Sequence, residues 1–168
     1  RGLGDVYKRQ AYGRLLVRGP WIIKKYFKSE ESAVDADNWF DTGDISSIDP
    51  DGYMAIVDRE KDVIKSGGEW ISSIDLENVI ANHPDVLQTA VVGIPHPKWD
   101  ERPLLFIVSN SGNEFDRSEL DDLMLEKFEK WQLPDDVVFL KELPIGATGK
   151  VKKIDLRQEY TDHYMKEA

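Results

Sequence analysis

Residues 86–95 (VLQTAVVGIP) and 102–109 (RPLLFIVS) are two nearly unbroken apolar runs separated by a polar loop, and they constrain the fold more than any other feature of the chain. Short apolar runs of this kind, bounded by turn residues, read as a pair of buried strands. They cannot be membrane helices. The longest uncharged stretch, residues 86–97, falls far short of the ~20 residues a bilayer demands and contains two prolines.

The elements around this pair follow from local signals. Residues 13–19 (GRLLVRG) read as a short strand ended by Gly19-Pro20. Residues 42–59 read as two strand-like runs around Asp49-Pro50-Asp51-Gly52, a turn with proline setting φ and glycine supplying a positive one. Val63-Ile64, then Ser66-Gly67-Gly68, then a strand over residues 69–71, lead into a helix over residues 73–82 with Leu76, Val79 and Ile80 on one face. Asp116 with Glu119 makes a capping-box signature, and Leu120, Leu123, Met124, Phe128 and Trp131 continue at helical spacing. Residues 135–140 (DDVVFL) read as a last strand and 153–160 (KIDLRQEY) as a last helix. This order predicts an α+β fold: a small domain with a short mixed sheet and flanking helices over residues 59–168, preceded by a β-rich remnant over 11–58. Residues 1–10 (RGLGDVYKRQ) have no initiator methionine, periodicity or capping signal, so we read them as an unrelated or disordered leader.

Composition narrows the function. The chain of 168 residues is 40% apolar and 32% charged with five tryptophans, which disordered chains rarely carry. A net charge of -10 argues against a nucleic-acid or anionic-membrane surface. The absence of cysteine removes thiolate nucleophiles and Cys-based zinc sites and fits a reducing cytoplasm. His83, His96 and His163 show no metal spacing. They read as a helix-end residue, part of a Pro-His-Pro loop and part of the tail, and no metal ligand set is expected.

Residues 143–153 (LPIGATGKVKK) look at first like a nucleotide-binding P-loop, G-x-x-x-x-G-K-[ST]. With Gly149-Lys150 as the GK pair, Pro144 stands where the first glycine is needed and Val151 where the metal-binding hydroxyl is needed, and no hydrophobic strand immediately precedes the loop. The P-loop reading fails. Lys150 is then either a solvated lysine on a surface turn or a compact point charge delivered to a reacting phosphate or carboxylate. The loop alone leaves both open. Asp44, at a strand start after Thr42-Gly43, could accept hydrogen bonds from paired hydroxyls, and Arg59, at the far end of the same hairpin, could close on the same ligand. Each is equally a turn aspartate or a surface arginine. Lys61 marks the switch between the two regions and is a candidate hinge. Gly67 and Gly68 would allow a backbone to approach a long thin ligand, or simply make a tight turn.

Taken in order, residues 39–80 (WFDTGD through ENVI), 90–103 (AVVGIPHPKWDERP) and 143–153 resemble the C-terminal third of acyl-adenylate-forming enzymes, the superfamily of acyl-CoA synthetases, peptide-synthetase adenylation domains and luciferases. The resemblance runs from about residue 13 to 160. "KDVIKSGGEWISS" with "PHPKWDERP" is most similar to medium-chain fatty-acid and methylmercaptopropionate CoA ligases. It implies that Asp44 binds the adenosine ribose with Arg59 alongside, and that Lys61 is a hinge. Gly67 and Gly68 would line the channel for the pantetheine arm of CoA, and Lys150 would be the catalytic lysine of a mobile small domain. Glu77 matches an acidic position that we take as structural. Arg14 departs from an acidic residue common there.

The resemblance further implies a carboxylic acid, ATP with Mg²⁺ and CoA as substrates and cofactors. The phosphate loop and acyl pocket belong to a large N-terminal domain that this chain does not contain. The chain is therefore expected to be a piece of an AMP-forming acid–CoA ligase, inactive by itself. A non-catalytic interaction module and an adenylating enzyme that loads a carrier-protein thiol are the alternatives.

Overall fold

The computed structural model describes residues 12–167. The leader expected over residues 1–10 lies outside them. The chain divides into two compact units, the first ending at Lys61 and the second beginning at Asp62.

The first unit is an antiparallel meander of β1 (Gly13–Val17), β2 (Phe40–Ile48) and β3 (Met54–Arg59), in that order. The β2–β3 turn closes as its sequence dictates. The Gly52 amide donates to the Asp49 carbonyl at 3.0 Å, the Asp49 carboxylate accepts from the Tyr53 amide at 2.8 Å, and Gly52 sits at φ +89°. The long β1–β2 connection carries its own Asx turn, in which Asp35 accepts from the amides of Asp37 and Trp39.

The second unit holds β4 (Ile64–Ser66), β5 (Glu69–Ile71), α1 (Ser73–Ile80), β6 (Val86–His96), β7 (Asp100–Ser109), α2 (Arg117–Leu125), β8 (Asp136–Phe139) and α3 (Lys153–Glu159). Its sheet runs β5-β4-β7-β6, with β8 added in parallel to β7. The two apolar runs are the long antiparallel pair β6–β7.

Their lack of alternation now has a cause, because both faces of the pair are covered. Val91, Leu105 and Ile107 pack with Leu76, Val79 and Ile80 of α1 and Leu120 and Met124 of α2. The intervening residues Ala90, Val92, Ile94, Leu104, Phe106 and Val108 pack with Leu143, Leu156 of α3 and Tyr164. Burying each large side chain contributes about 1.5–3 kcal/mol, so this unit is a complete two-sided core. The α+β class predicted from sequence is the class observed.

Helix starts follow their caps. Ser72 accepts from the Asp75 amide at 3.1 Å, and Asp116 accepts from the Ser118 amide at 3.0 Å, which holds the Asp116 carboxyl below the usual carboxylate range. One helix end differs from expectation. The helical spacing runs on to Trp131, yet α2 stops at Leu125 and Lys130–Gln132 form a separate 3-10 turn after Glu129, whose ψ is 149°. The carbonyls of Trp131 and Leu133 accept hydrogen bonds from the buried Arg102 guanidinium, a demand that a continued helix would not meet. The capping box also opens: the Glu119 carboxylate turns to His83 at 3.2 Å.

Candidate functional site

In the first unit, β2–β3 pairing places Asp44 directly opposite Arg59. The Arg59 Nε lies 3.0 Å from Asp44 Oδ1, with the arginine more exposed than the carboxylate. The Thr42 hydroxyl accepts from the Asp44 amide at 3.1 Å, and Gly43, at φ +71°, offers its carbonyl to the Glu60 amide at 2.9 Å. Asp44 therefore stands in the middle of β2 and not at a strand start as its sequence suggested, because pairing with β1 begins already at Phe40; among the described residues its carboxylate pairs with Arg59. Lys61 lies in the turn that follows β3, at the end of the first unit.

In the second unit, Gly67 and Gly68 are the two central residues of the β4–β5 hairpin, closed by Ser66 opposite Glu69. Both have positive φ, +60° and +87°, as a two-residue type I′ turn requires. Gly67 is also held from outside the turn. Its amide donates to the Trp99 carbonyl at 2.8 Å, and a Cβ built on it would come within 3.0 Å of the Trp99 ring. The Gly68 position is open, with nothing within 4 Å of such a Cβ.

Lys150 stands on a hairpin of its own. Ile145 bridges Val151, the Gly146 amide donates to the Lys150 carbonyl at 2.8 Å, and the Gly149 amide donates to the Gly146 carbonyl at 2.9 Å. Gly149 takes φ +77°. This is the three-residue loop built from a turn and a left-handed glycine, so the Gly-Ala-Thr-Gly stretch is a hydrogen-bonded hairpin and carries the lysine in a set place.

The nearby lysines are engaged. Lys152 pairs with Asp155 at 3.3 Å, and Lys153 reaches Glu77 at 2.7 Å and the Ser73 hydroxyl at 2.8 Å. Among the described residues, Lys150 is exposed and its ammonium has no ion-pair partner. Glu77 also accepts from the Val91 amide at 2.7 Å, tying α1 to β6. Among the described residues no group of three or more His, Cys, Asp or Glu is arranged to hold a metal. No helix among them is long and apolar enough to cross a membrane.

Sequence reasoning passed over Arg102. It is buried in β7, and its five N–H groups all find acceptors: Asp135 Oδ2 at 2.7 Å and Oδ1 at 2.6 Å, the Ser66 hydroxyl at 3.0 Å, and the carbonyls of Trp131 at 2.7 Å and Leu133 at 3.0 Å. The available signal was an arginine at the head of an apolar strand, a position that asks for a partner. His83 was also read too lightly. It is buried, stacked on Phe115 with ring centroids 4.7 Å apart, and paired with Glu119.

Residues 75–150, which run from within α1 to Lys150 itself, match the family model of the AMP-binding enzyme C-terminal domain. This segment is an AMP-binding enzyme C-terminal domain. The chain is 53% identical over 150 residues to the 3-methylmercaptopropionyl-CoA ligase of Ruegeria lacuscaerulensis, a match that covers 89% of this chain and 28% of that protein. It is 47% identical over 150 residues to the medium-chain-fatty-acid–CoA ligase of Ectopseudomonas oleovorans, covering 89% of this chain and 28% of that one. Among solved structures, ATP-bound MatB of Rhodopseudomonas palustris superposes with a TM-score of 0.79 at 31% identity, over 94% of this chain and 32% of that chain. The chain thus spans about 28% of the length of the curated relatives it matches.

Proposed function

We propose that this chain supplies the C-terminal part of an ATP-dependent, AMP-forming acid–CoA ligase. The observation that carries the reading is Lys150. Within the AMP-binding enzyme C-terminal domain it is presented by a closed hairpin with its ammonium unpaired among the described residues, while Lys152 and Lys153 are committed to ion pairs. Relatives of about 50% identity are CoA ligases by name, which favours CoA over a carrier-protein thiol as acceptor.

In the first half-reaction a carboxylate oxygen attacks the α-phosphorus of ATP. The new O–P bond forms as the bond to pyrophosphate breaks. Two anions approach each other, and the Lys150 ammonium neutralises charge that is greatest in the transition state, so it lowers the barrier more than it tightens substrate binding. The Asp44 carboxylate accepts hydrogen bonds from the ribose hydroxyls, with Arg59 held beside it. In the second half-reaction the CoA sulfur attacks the acyl carbon, AMP departs, and the thiol arrives along the Gly67–Gly68 turn.

Exchange of the Lys150 face for the glycine face would occur by rotation about Lys61; the boundary between compact units just after that residue supports this. The nucleotide phosphates, their Mg²⁺ and the acyl chain would be held mainly by segments that the relatives carry beyond the matched 28%. A cytoplasmic location fits the lack of cysteine.

The test is Lys150→Ala in a chimera joining this chain to the N-terminal portion of the Ruegeria lacuscaerulensis relative. ATP–pyrophosphate exchange should fall by about 10²–10³-fold, the size of losing one preorganised charge-stabilising group. Thioester formation from preformed acyl-adenylate should change several-fold at most. Equal losses in both half-reactions would refute the role.

A further inference from the structure

We propose that Arg102 is a positioning residue for thiol delivery, holding the Ser66–Gly67–Gly68 turn against the Trp131–Asp135 segment. The inference rests on the reading that this glycine turn lines the thiol path. The geometry behind it is independent of that reading.

The β4–β5 hairpin is short; among the described residues its only register pair with β7 is Ser66 with Asp100, and just before the turn the Lys65 amide donates to the Glu101 carboxylate at 3.0 Å. Beyond that pair, the turn is held by the Gly67–Trp99 backbone bond and by the Ser66 hydroxyl, which accepts from Arg102 Nη1 at 3.0 Å. The same Nη1 donates to the Trp131 carbonyl at 2.7 Å, and Nη2 donates to the Leu133 carbonyl at 3.0 Å. The fork on Asp135, at 2.7 and 2.6 Å, fixes the plane of the guanidinium. One buried cation therefore sets the spacing between the glycine turn and a segment remote from it in sequence. It sits on a central strand whose pairing with β6 is continuous around it.

Chemistry explains why arginine is needed. All five donors are used, in a planar arrangement that lysine's three rotatable donors cannot reproduce. Removing the Ser66 bond frees the turn by roughly one hydrogen bond, on the order of a factor of 5–10 in the population of the productive arrangement. A path for a slender pantetheine arm is sensitive to such loosening, because displacements near 1 Å cost large factors in rate. Lys150 lies on another hairpin, with no contact to Arg102 among the described bonds, so adenylation should not feel the change.

The experiment combines two readouts. In the chimera with the Ruegeria portion, Arg102→Lys and Ser66→Ala should each raise the KM for CoA in the thioester half-reaction by about 5–10-fold. ATP–pyrophosphate exchange should stay within twofold for both. In the 168-residue chain itself, Arg102→Lys and Ser66→Ala should speed amide exchange at Gly67 at least several-fold while Leu105 stays protected.

Unchanged Gly67 exchange in Ser66→Ala, or a fall in adenylation as large as the rise in KM for CoA, overturns the proposal. Gly68→Val serves as the control for the underlying reading, since its side chain would enter the open side of the turn. If Gly68→Val leaves thioester formation intact, the turn is not the thiol path and the proposal falls with it. If Gly68→Val blocks that step but the Arg102 and Ser66 variants leave the KM for CoA unmoved, only the positioning role is refuted.

Discussion

Gly67→Ala against Gly68→Ala separates two reasons for having glycine in one turn. Gly67 has φ +60° and Gly68 has φ +87°, so alanine at either site enters the left-handed region at a cost of about 1–2 kcal/mol. Lower entropy of the unfolded chain returns about 0.4–1 kcal/mol of that. The net backbone effect is therefore similar at the two positions. The difference lies in space. At Gly68 the new methyl meets nothing within 4 Å, whereas at Gly67 it lies 3.0 Å from Trp99 Cε3.

Trp99 is 43% exposed and its ring can yield, at roughly the 0.5–1.5 kcal/mol of an off-rotamer side chain. Gly67→Ala should thus cost about 0.5–1.5 kcal/mol more than Gly68→Ala. That excess should vanish in a Trp99→Ala background, because the Gly67 amide bonds to the Trp99 carbonyl, which truncation leaves in place. Urea denaturation of the 168-residue chain followed by far-UV circular dichroism measures the cycle without relying on tryptophan fluorescence. Equal losses at the two glycines, or an excess that survives removal of the Trp99 ring, would show that the contact does not constrain the turn.

Two further outcomes follow from buried partners. Glu77→Ala should cost about 3 kcal/mol, since it strips Lys153, which is 14% exposed, of its carboxylate and frees the Val91 amide; Lys150→Ala should stay within about 0.5 kcal/mol of wild type in the same denaturation assay. Burial, reinforced by the charges of Asp135 and Asp136, raises the Tyr164 phenol above its ordinary pKa, and its hydroxyl donates to the Pro103 carbonyl at 2.8 Å. The folded form keeps its proton where the unfolded form loses it, so this stabilisation is full below about pH 10 and declines as pH rises beyond. Tyr164→Phe should cost about 1 kcal/mol at pH 7 and flatten the alkaline limb of the stability profile; an unchanged limb would refute the assignment.

Much of the fold was legible because its signals are local. Asp116 caps its helix, Gly52 and the Gly67–Gly68 pair make turns that need positive φ, and the two unbroken apolar runs pair as the sheet's longest strands. Local signals also misled at one place. The helical spacing of Phe128 and Trp131 outlasts the helix, because the chain there answers to Arg102, 29 residues away from Trp131 in sequence. Within the candidate site, the pairing of Asp44 with Arg59 follows from hairpin register and was visible as two ends of one hairpin.

The sequence by itself determined the α+β class, the element order and the family, since periodicity, capping, turn chemistry and motif order are written along the chain. Only the tertiary structure decided which of the lysines in residues 143–153 lacks an ion-pair partner among the described residues, because the partners of Lys153 lie on a helix 76 and 80 positions away. It also decided that both faces of β6–β7 are covered, and that a buried arginine ties the glycine turn to a distant segment. These are contacts between residues remote in sequence. Their energy depends on distance and burial, which no local pattern encodes.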